Sequence, residues 1–194
     1  KRQLALCHDS RDGLEITPML LLGPPGIGKT HFARRVSQLL GTGLGFISMS
    51  SLTAGWVLSG ASSQWKGARP GKVFDKARGE HAYDPLGALY SLFEHDTAGS
   101  FTDEFAEVSI DASQVIWVAT ANDARAIPEP ILNRMNVFDV RSPDRDAARA
   151  IALRLYQGIR AEHDWGRRFD EAPPEGVLDR FSSMAPRDMR RAWM

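Results

Sequence analysis

Apolar and polar positions follow two rhythms along this chain, one of strand length and one at helical spacing. Residues 17–22 end in Met19-Leu20-Leu21-Leu22, which predicts a buried strand, and residues 31–40 put Phe32, Val36, Leu39 and Leu40 on one helical face. Gly41 and Gly43 stop that helix. Gly45-Phe46-Ile47-Ser48-Met49 predicts a second strand, and Ser50-Ser51-Leu52-Thr53 suits the cap of a short helix after it. The texture then changes to a Gly/Ser-rich stretch over 59–71 that carries Trp65 and Lys66, with Pro70 at a helix start. A further helix is expected over 85–95, with Leu86, Leu89, Tyr90, Leu92 and Phe93 as its apolar face. Val115-Ile116-Trp117-Val118-Ala119-Thr120-Ala121 is a continuous apolar run, the signature of a strand covered on both faces. A short helix entered through proline (127–135) and a strand (136–140) follow. From 142 onward the pattern is helical, with charged and apolar faces over 144–156, a break at Pro173-Pro174 and two shorter helices.

Composition narrows this little. The 194 residues suit one core with an appended subdomain, and 24 Lys plus Arg against 24 Asp plus Glu give no net field to draw nucleic acid or an anionic membrane. The single cysteine, Cys7, rules out an intramolecular disulfide and fits a reducing cytoplasm, where the protein is expected. No apolar run approaches the roughly 20 residues of a spanning helix, so no membrane partner is expected. Lys1 opens a charged, helix-like segment instead of a signal peptide, as a fragment starting within an element would.

Gly23-Pro24-Pro25-Gly26-Ile27-Gly28-Lys29-Thr30 lies between the first strand and the helix pattern that starts at His31. Glycines at 23, 26 and 28 let successive N–H groups point inward at a polyphosphate, and the helix N-terminus adds partial positive charge. In such a loop Lys29 reaches the β/γ phosphates and the Thr30 hydroxyl ligates Mg²⁺, so the expected ligands are a nucleoside triphosphate and its diphosphate, such as ATP/ADP, with Mg²⁺. Asn122 ends the apolar run at 115–121, where ligands of open parallel sheets bind. There it either orients water or the γ-phosphate, or caps the next turn.

The order of P-loop, strand ending Ala-Thr-Ala-Asn, Ile127-Pro128-Glu129-Pro130-Ile131-Leu132-Asn133-Arg134-Met135 and a strand resembles the AAA+ ATPases, and most closely the ATPase module of Lon-type proteases. That resemblance implies an α/β P-loop fold: three α/β/α layers around a parallel sheet of order 5-1-4-3-2, with a small C-terminal helical lid. The large nucleotide-binding subdomain is then 1–141 and the lid 142–194. By resemblance Asn122 is the sensor 1 residue, Arg134 the arginine finger that reaches a neighbour's γ-phosphate, and Arg187 the sensor 2 arginine. Ile151 and Tyr156 become candidates for packing against adenine, in competition with ordinary core packing. Gln64-Trp65-Lys66-Gly67-Ala68-Arg69-Pro70-Gly71-Lys72 resembles the Lon pore loop, which makes Trp65, with Lys66 beside it, the grip on a threaded polypeptide.

One family element is missing from the sequence. No run of four apolar residues followed by Asp-Glu, the Walker B strand, stands between the pore loop and Asn122. Neither Phe101-Thr102-Asp103-Glu104 nor Ser109-Ile110-Asp111 replaces it. The flanks meet near Gly79. Deleting a central strand would leave a cleft in the sheet, so the expectation is that the sequence skips residues there that the molecule contains. The expected function is an ATP-hydrolysing motor that remodels or unfolds protein as a ring homo-oligomer, a hexamer by resemblance. The alternative is a nucleotide-dependent switch or assembly module without efficient hydrolysis. A DNA-linked AAA+ role finds no support in the balanced charge. No protease dyad is expected within these residues.

Overall fold

Four consecutive apolar residues, Met19–Leu22, form β1, and its Leu20 and Leu21 are buried. The computed structural model describes residues 16–48, 86–103, 106–125 and 127–194. After β1 come α1 (Lys29–Leu40), α2 (Gly87–Leu92), α3 (His95–Ala98), β2 (Phe101–Asp103), β3 (Val108–Ile110), β4 (Val118–Ala121), α4 (Glu129–Leu132) and β5 (Asn136–Asp139). The C-terminal part is helical: α5 (Arg145–Glu162), a 3-10 turn (Asp164–Arg168), α6 (Glu175–Phe181) and α7 (Pro186–Trp193).

β1 lies at the centre of a three-stranded sheet of order β4-β1-β5. Met19 and Gly23 donate to the carbonyls of Trp117 and Ala121, while Asn136 and Val140 donate to those of Pro18 and Leu22. Both ladders advance by four residues in the same direction on each side, so the pairing is parallel. Read from its other edge the order is 5-1-4, as expected for these three strands, but the full five-stranded order 5-1-4-3-2 is not formed by the described residues. The expected second strand is absent over 45–48, where Leu44 is 53% and Phe46 63% exposed. A strand needs a neighbour to satisfy its backbone, and the apolar run that would pair here is missing from the sequence. Two further expectations are trimmed. The run at 115–121 yields a strand only over Val118–Ala121 and leaves Val115 exposed, and α1 keeps Phe32 and Leu39 exposed.

β2 and β3 make a separate antiparallel hairpin, Phe101 opposite Ile110 and Asp103 opposite Val108. The buried Asp103 carboxylate accepts the Ala106 N–H at 2.8 Å, and Glu107 takes a left-handed φ of 52° in the turn. This acid closes its own hairpin, in keeping with its rejection as a Walker B residue.

Contacts divide the chain into two units, one comprising Lys1–Leu20, Leu44–Ala119 and Arg125–Val137, the other Leu21–Gly43, Thr120–Ala124 and Phe138–Met194. In this grouping the P-loop and α1 fall with the C-terminal helices. In the first unit Leu89, Leu92, Phe93, Phe101, Ile131 and Met135 are buried, and the Phe93 and Trp117 rings meet at 5.6 Å. In the second, Ala148, Ala152, Leu178, Phe181 and Met189 form the core, and Phe181 stacks on Trp193 at 4.2 Å. Asp144 starts α5 by accepting the Ala147 N–H, which satisfies one orphan donor of the first turn. No described helix is long and apolar enough to cross a membrane.

Candidate functional site

The loop from β1 to α1 is shaped by close approach. A Cβ on Gly23 (φ 153°) would stand 2.1 Å from the Val140 carbonyl oxygen, so a side chain there is sterically forbidden. At the other end, Gly28 (φ 101°) is the N-cap of α1, and neither a capping side chain nor a first-turn acid covers that end. The first N–H groups of α1 therefore lack side-chain acceptors, and the helix dipole favours an anion beside them. The loop positions Pro24, Pro25, Ile27 and Thr30, together with His31, are exposed or half-buried. Thr30 has its hydroxyl on the first turn of α1. No group of three or more His, Cys, Asp or Glu suited to a metal occurs among the described residues.

Lys29 is the one buried residue of α1, and its ammonium has three acceptors. Nζ donates to the carbonyls of Gly23 at 2.6 Å and Pro24 at 2.8 Å, and to Asn122 Oδ1 at 3.0 Å. Since an ammonium has three donors, all are used, and a phosphate oxygen must replace one of these acceptors to be held by Lys29. The Asn122 amide is the natural one to yield, because the other two are carbonyls of the loop itself. Burial, and next the nearby Arg187 guanidinium, hold the Lys29 pKa below its ordinary value. An incoming polyphosphate would reverse that pressure by bringing negative charge to both cations.

Arg187 is tied to the loop through its backbone. Its N–H donates to the Gly26 carbonyl at 3.1 Å, and a Cβ on Gly26 would lie 3.4 Å from the Arg187 Cβ. Lys29, Asn122 and Arg187 thus surround one loop, as the spacing of the sequence could not reveal. Ile151 and Tyr156 go elsewhere. Ile151 packs on the core of the C-terminal helices, while the Tyr156 hydroxyl donates to the Asp170 carbonyl at 2.7 Å and its ring meets Trp193 at 5.0 Å. Their geometry is the ordinary packing that competed with the adenine reading.

Arg134 belongs to the other unit and sits just past α4. Its Nε lies 2.7 Å from Glu94 Oε1, its Nη1 donates to the Pro130 carbonyl at 2.8 Å, and its guanidinium carbon stands 5.5 Å from the Tyr90 ring centre. Sequence reasoning missed Glu94 and gave Tyr90 only to an apolar face; a contact between residues forty apart leaves no periodic signal. The pore-loop residues Trp65 and Lys66, and the join near Gly79, lie outside the described residues.

A central parallel strand, a tight glycine loop and an uncapped helix start define an α/β P-loop protein. Residues 19–72 match the family model described as "ATPase family associated with various cellular activities (AAA)". The chain is 31% identical to a Lon protease of Halothermothrix orenii over 76% of its own length and 21% of the relative's. It is 30% identical to the mitochondrial Lon protease homolog of Aspergillus niger, over 70% of this chain and 14% of that protein. With the mitochondrial Lon protease homolog 1 of Arabidopsis thaliana it shares 33% identity, over 62% of this chain and 15% of that one. The chain is an AAA+ ATPase that resembles the ATPase module of Lon proteases, and the matches span about a fifth or less of those relatives' length.

Proposed function

We propose that this chain binds ATP with Mg²⁺ through Gly23, Gly26, Gly28, Lys29 and Thr30 and hydrolyses it as one subunit of a ring-shaped self-assembly that remodels or unfolds protein. The observation that carries the reading is the Lys29 ammonium, buried beside the uncapped start of α1 and hydrogen-bonded to Asn122 at 3.0 Å. A cation at that point neutralises the charge of the β/γ phosphates, and a neutral amide exchanged for a phosphate oxygen can hold either the γ-phosphate or the attacking water. Arg187 supplies a second positive charge to the same loop. Arg134 is assigned to the neighbouring subunit's phosphate, and Trp65 with Lys66 to the polypeptide.

A second reading has an observation of its own. Without an Asp-Glu strand end in the sequence, the acid that polarises the attacking water is missing, which favours a nucleotide-dependent switch that assembles without turnover. Phosphate release by the full-length protein separates the two. For the motor, hydrolysis is present and Lys29→Ala lowers kcat/KM at least about 100-fold, as loss of a principal electrostatic contact to the transferring group does. Nucleotide binding with no hydrolysis in the parent selects the switch, and hydrolysis untouched by Lys29→Ala would set the P-loop mechanism aside.

A further inference from the structure

Glu94 occupies the N-cap position of α3 and makes no capping bond there. Its carboxylate goes to Arg134 Nε instead, at 2.7 Å. A guanidinium offers five N–H donors in one plane. Here Nε forms an ion pair with Glu94 without a hydrogen bond and one Nη1 hydrogen goes to the Pro130 carbonyl, while the Tyr90 ring stands beside the group. The second Nη1 hydrogen and both Nη2 hydrogens take no part in these contacts, and they form the outer edge with which arginine grips two phosphate oxygens at once. The side chain is thus held by its inner edge and keeps its phosphate-binding edge uncommitted to these three partners.

We propose that Glu94 is a positioning residue for Arg134: its carboxylate holds the guanidinium by charge from the Nε side and fixes the direction in which the outer edge is offered to a neighbouring subunit's γ-phosphate. This rests on the finger role assigned to Arg134 above. A long flexible cation must otherwise find its geometry at every turnover, and misplacement of a charge-stabilising group by about 1 Å costs on the order of 100-fold in rate. Glu94 supplies orientation and touches no substrate.

The test is ATP hydrolysis by the assembled full-length protein. Glu94→Ala is expected to lower kcat about 10–100-fold while KM for ATP moves less than about threefold. Glu94→Gln, which keeps the shape of the side chain and removes the charge that pairs with the guanidinium, should show most of the same loss. The double variant Glu94→Ala/Arg134→Ala should be no slower than Arg134→Ala alone, since both changes remove one function. Mixing adds a readout that a fold defect would not give. Glu94→Ala subunits keep Lys29 and Lys29→Ala subunits keep the Glu94–Arg134 pair, so hydrolysis should rise above that of either variant when the two are combined. If Glu94→Ala does not fold, the same cycle is run with Glu94→Gln, whose shape is that of the parent. Arg134→Ala at the parental rate would remove the finger reading itself. A slow Arg134→Ala with both Glu94 variants at the parental rate, a double variant slower than Arg134→Ala, or no recovery on mixing would overturn the positioning role alone.

Discussion

At the scale of single residues, the Lys29–Asn122 bond is the contact with the most chemistry in it. The amide oxygen is the third acceptor of an ammonium whose other two partners are loop carbonyls, so it governs where Nζ points before phosphate arrives. Asn122→Ala removes that acceptor and leaves the loop carbonyls in place. The expected result is a fall in kcat of about 100-fold with nucleotide affinity nearly kept, since the group lost acts on the developing charge. Single-turnover hydrolysis set beside nucleotide binding measures both, and an affinity loss as large as the rate loss would make Asn122 a binding residue instead. Asn122 was legible as a strand-end polar residue, but the choice between cap and phosphate contact was not. That choice turns on a side-chain partner ninety-three positions away.

At the scale of elements, α5 and α6 are joined by charge. Arg149 pairs with both Asp179 and Glu175, and Arg145 lies 3.1 Å from Asp179. Hydrogen bonds from Arg149, then from Arg145, hold the Asp179 carboxyl below its ordinary pKa. The folded value being depressed, the contribution is in full force above the unfolded pKa of about 3.9 and is lost as pH falls through the lower folded value. Asp179→Asn should therefore make helix loss less steep in that acid range and slightly lower stability at neutral pH. Acid titration by circular dichroism measures it, and a variant curve that overlays the parent's would show the pair to be idle. The helices themselves were readable because Asp144, the spacing of apolar positions and Pro173-Pro174 are local signals. The strand expected at 45–49 does not form over the described 45–48, for the opposite reason. Gly45, Phe46 and Ile47 have strand propensity, but a strand exists only with a neighbour, and propensity cannot report that the neighbour is missing from the sequence.

At the scale of the whole molecule, the division of labour assigned to Lys29 and Arg134 makes catalysis depend on association. A finger that serves the next subunit's phosphate is useless to its own chain, so turnover per subunit should rise with protein concentration and level off once assembly is complete. Hydrolysis measured across a dilution series, with the assembly state followed by light scattering, tests this. Constant turnover down to the monomeric range would confine Arg134 to a structural pair with Glu94. The fold class was visible from the alternation of strands and helices, and the P-loop from eight consecutive residues. The grouping of the P-loop with the C-terminal helices was not, because it depends on a backbone contact.

That contact, from the Arg187 N–H to the Gly26 carbonyl, has a consequence for how such a module can change over time. Main-chain atoms are common to every amino acid except for the amide hydrogen that proline lacks. Position 187 can therefore exchange one side chain for another, and with it the charge set beside the loop, while the main-chain link stays open to every residue but proline. Attachment and side-chain charge do not ride on the same atoms.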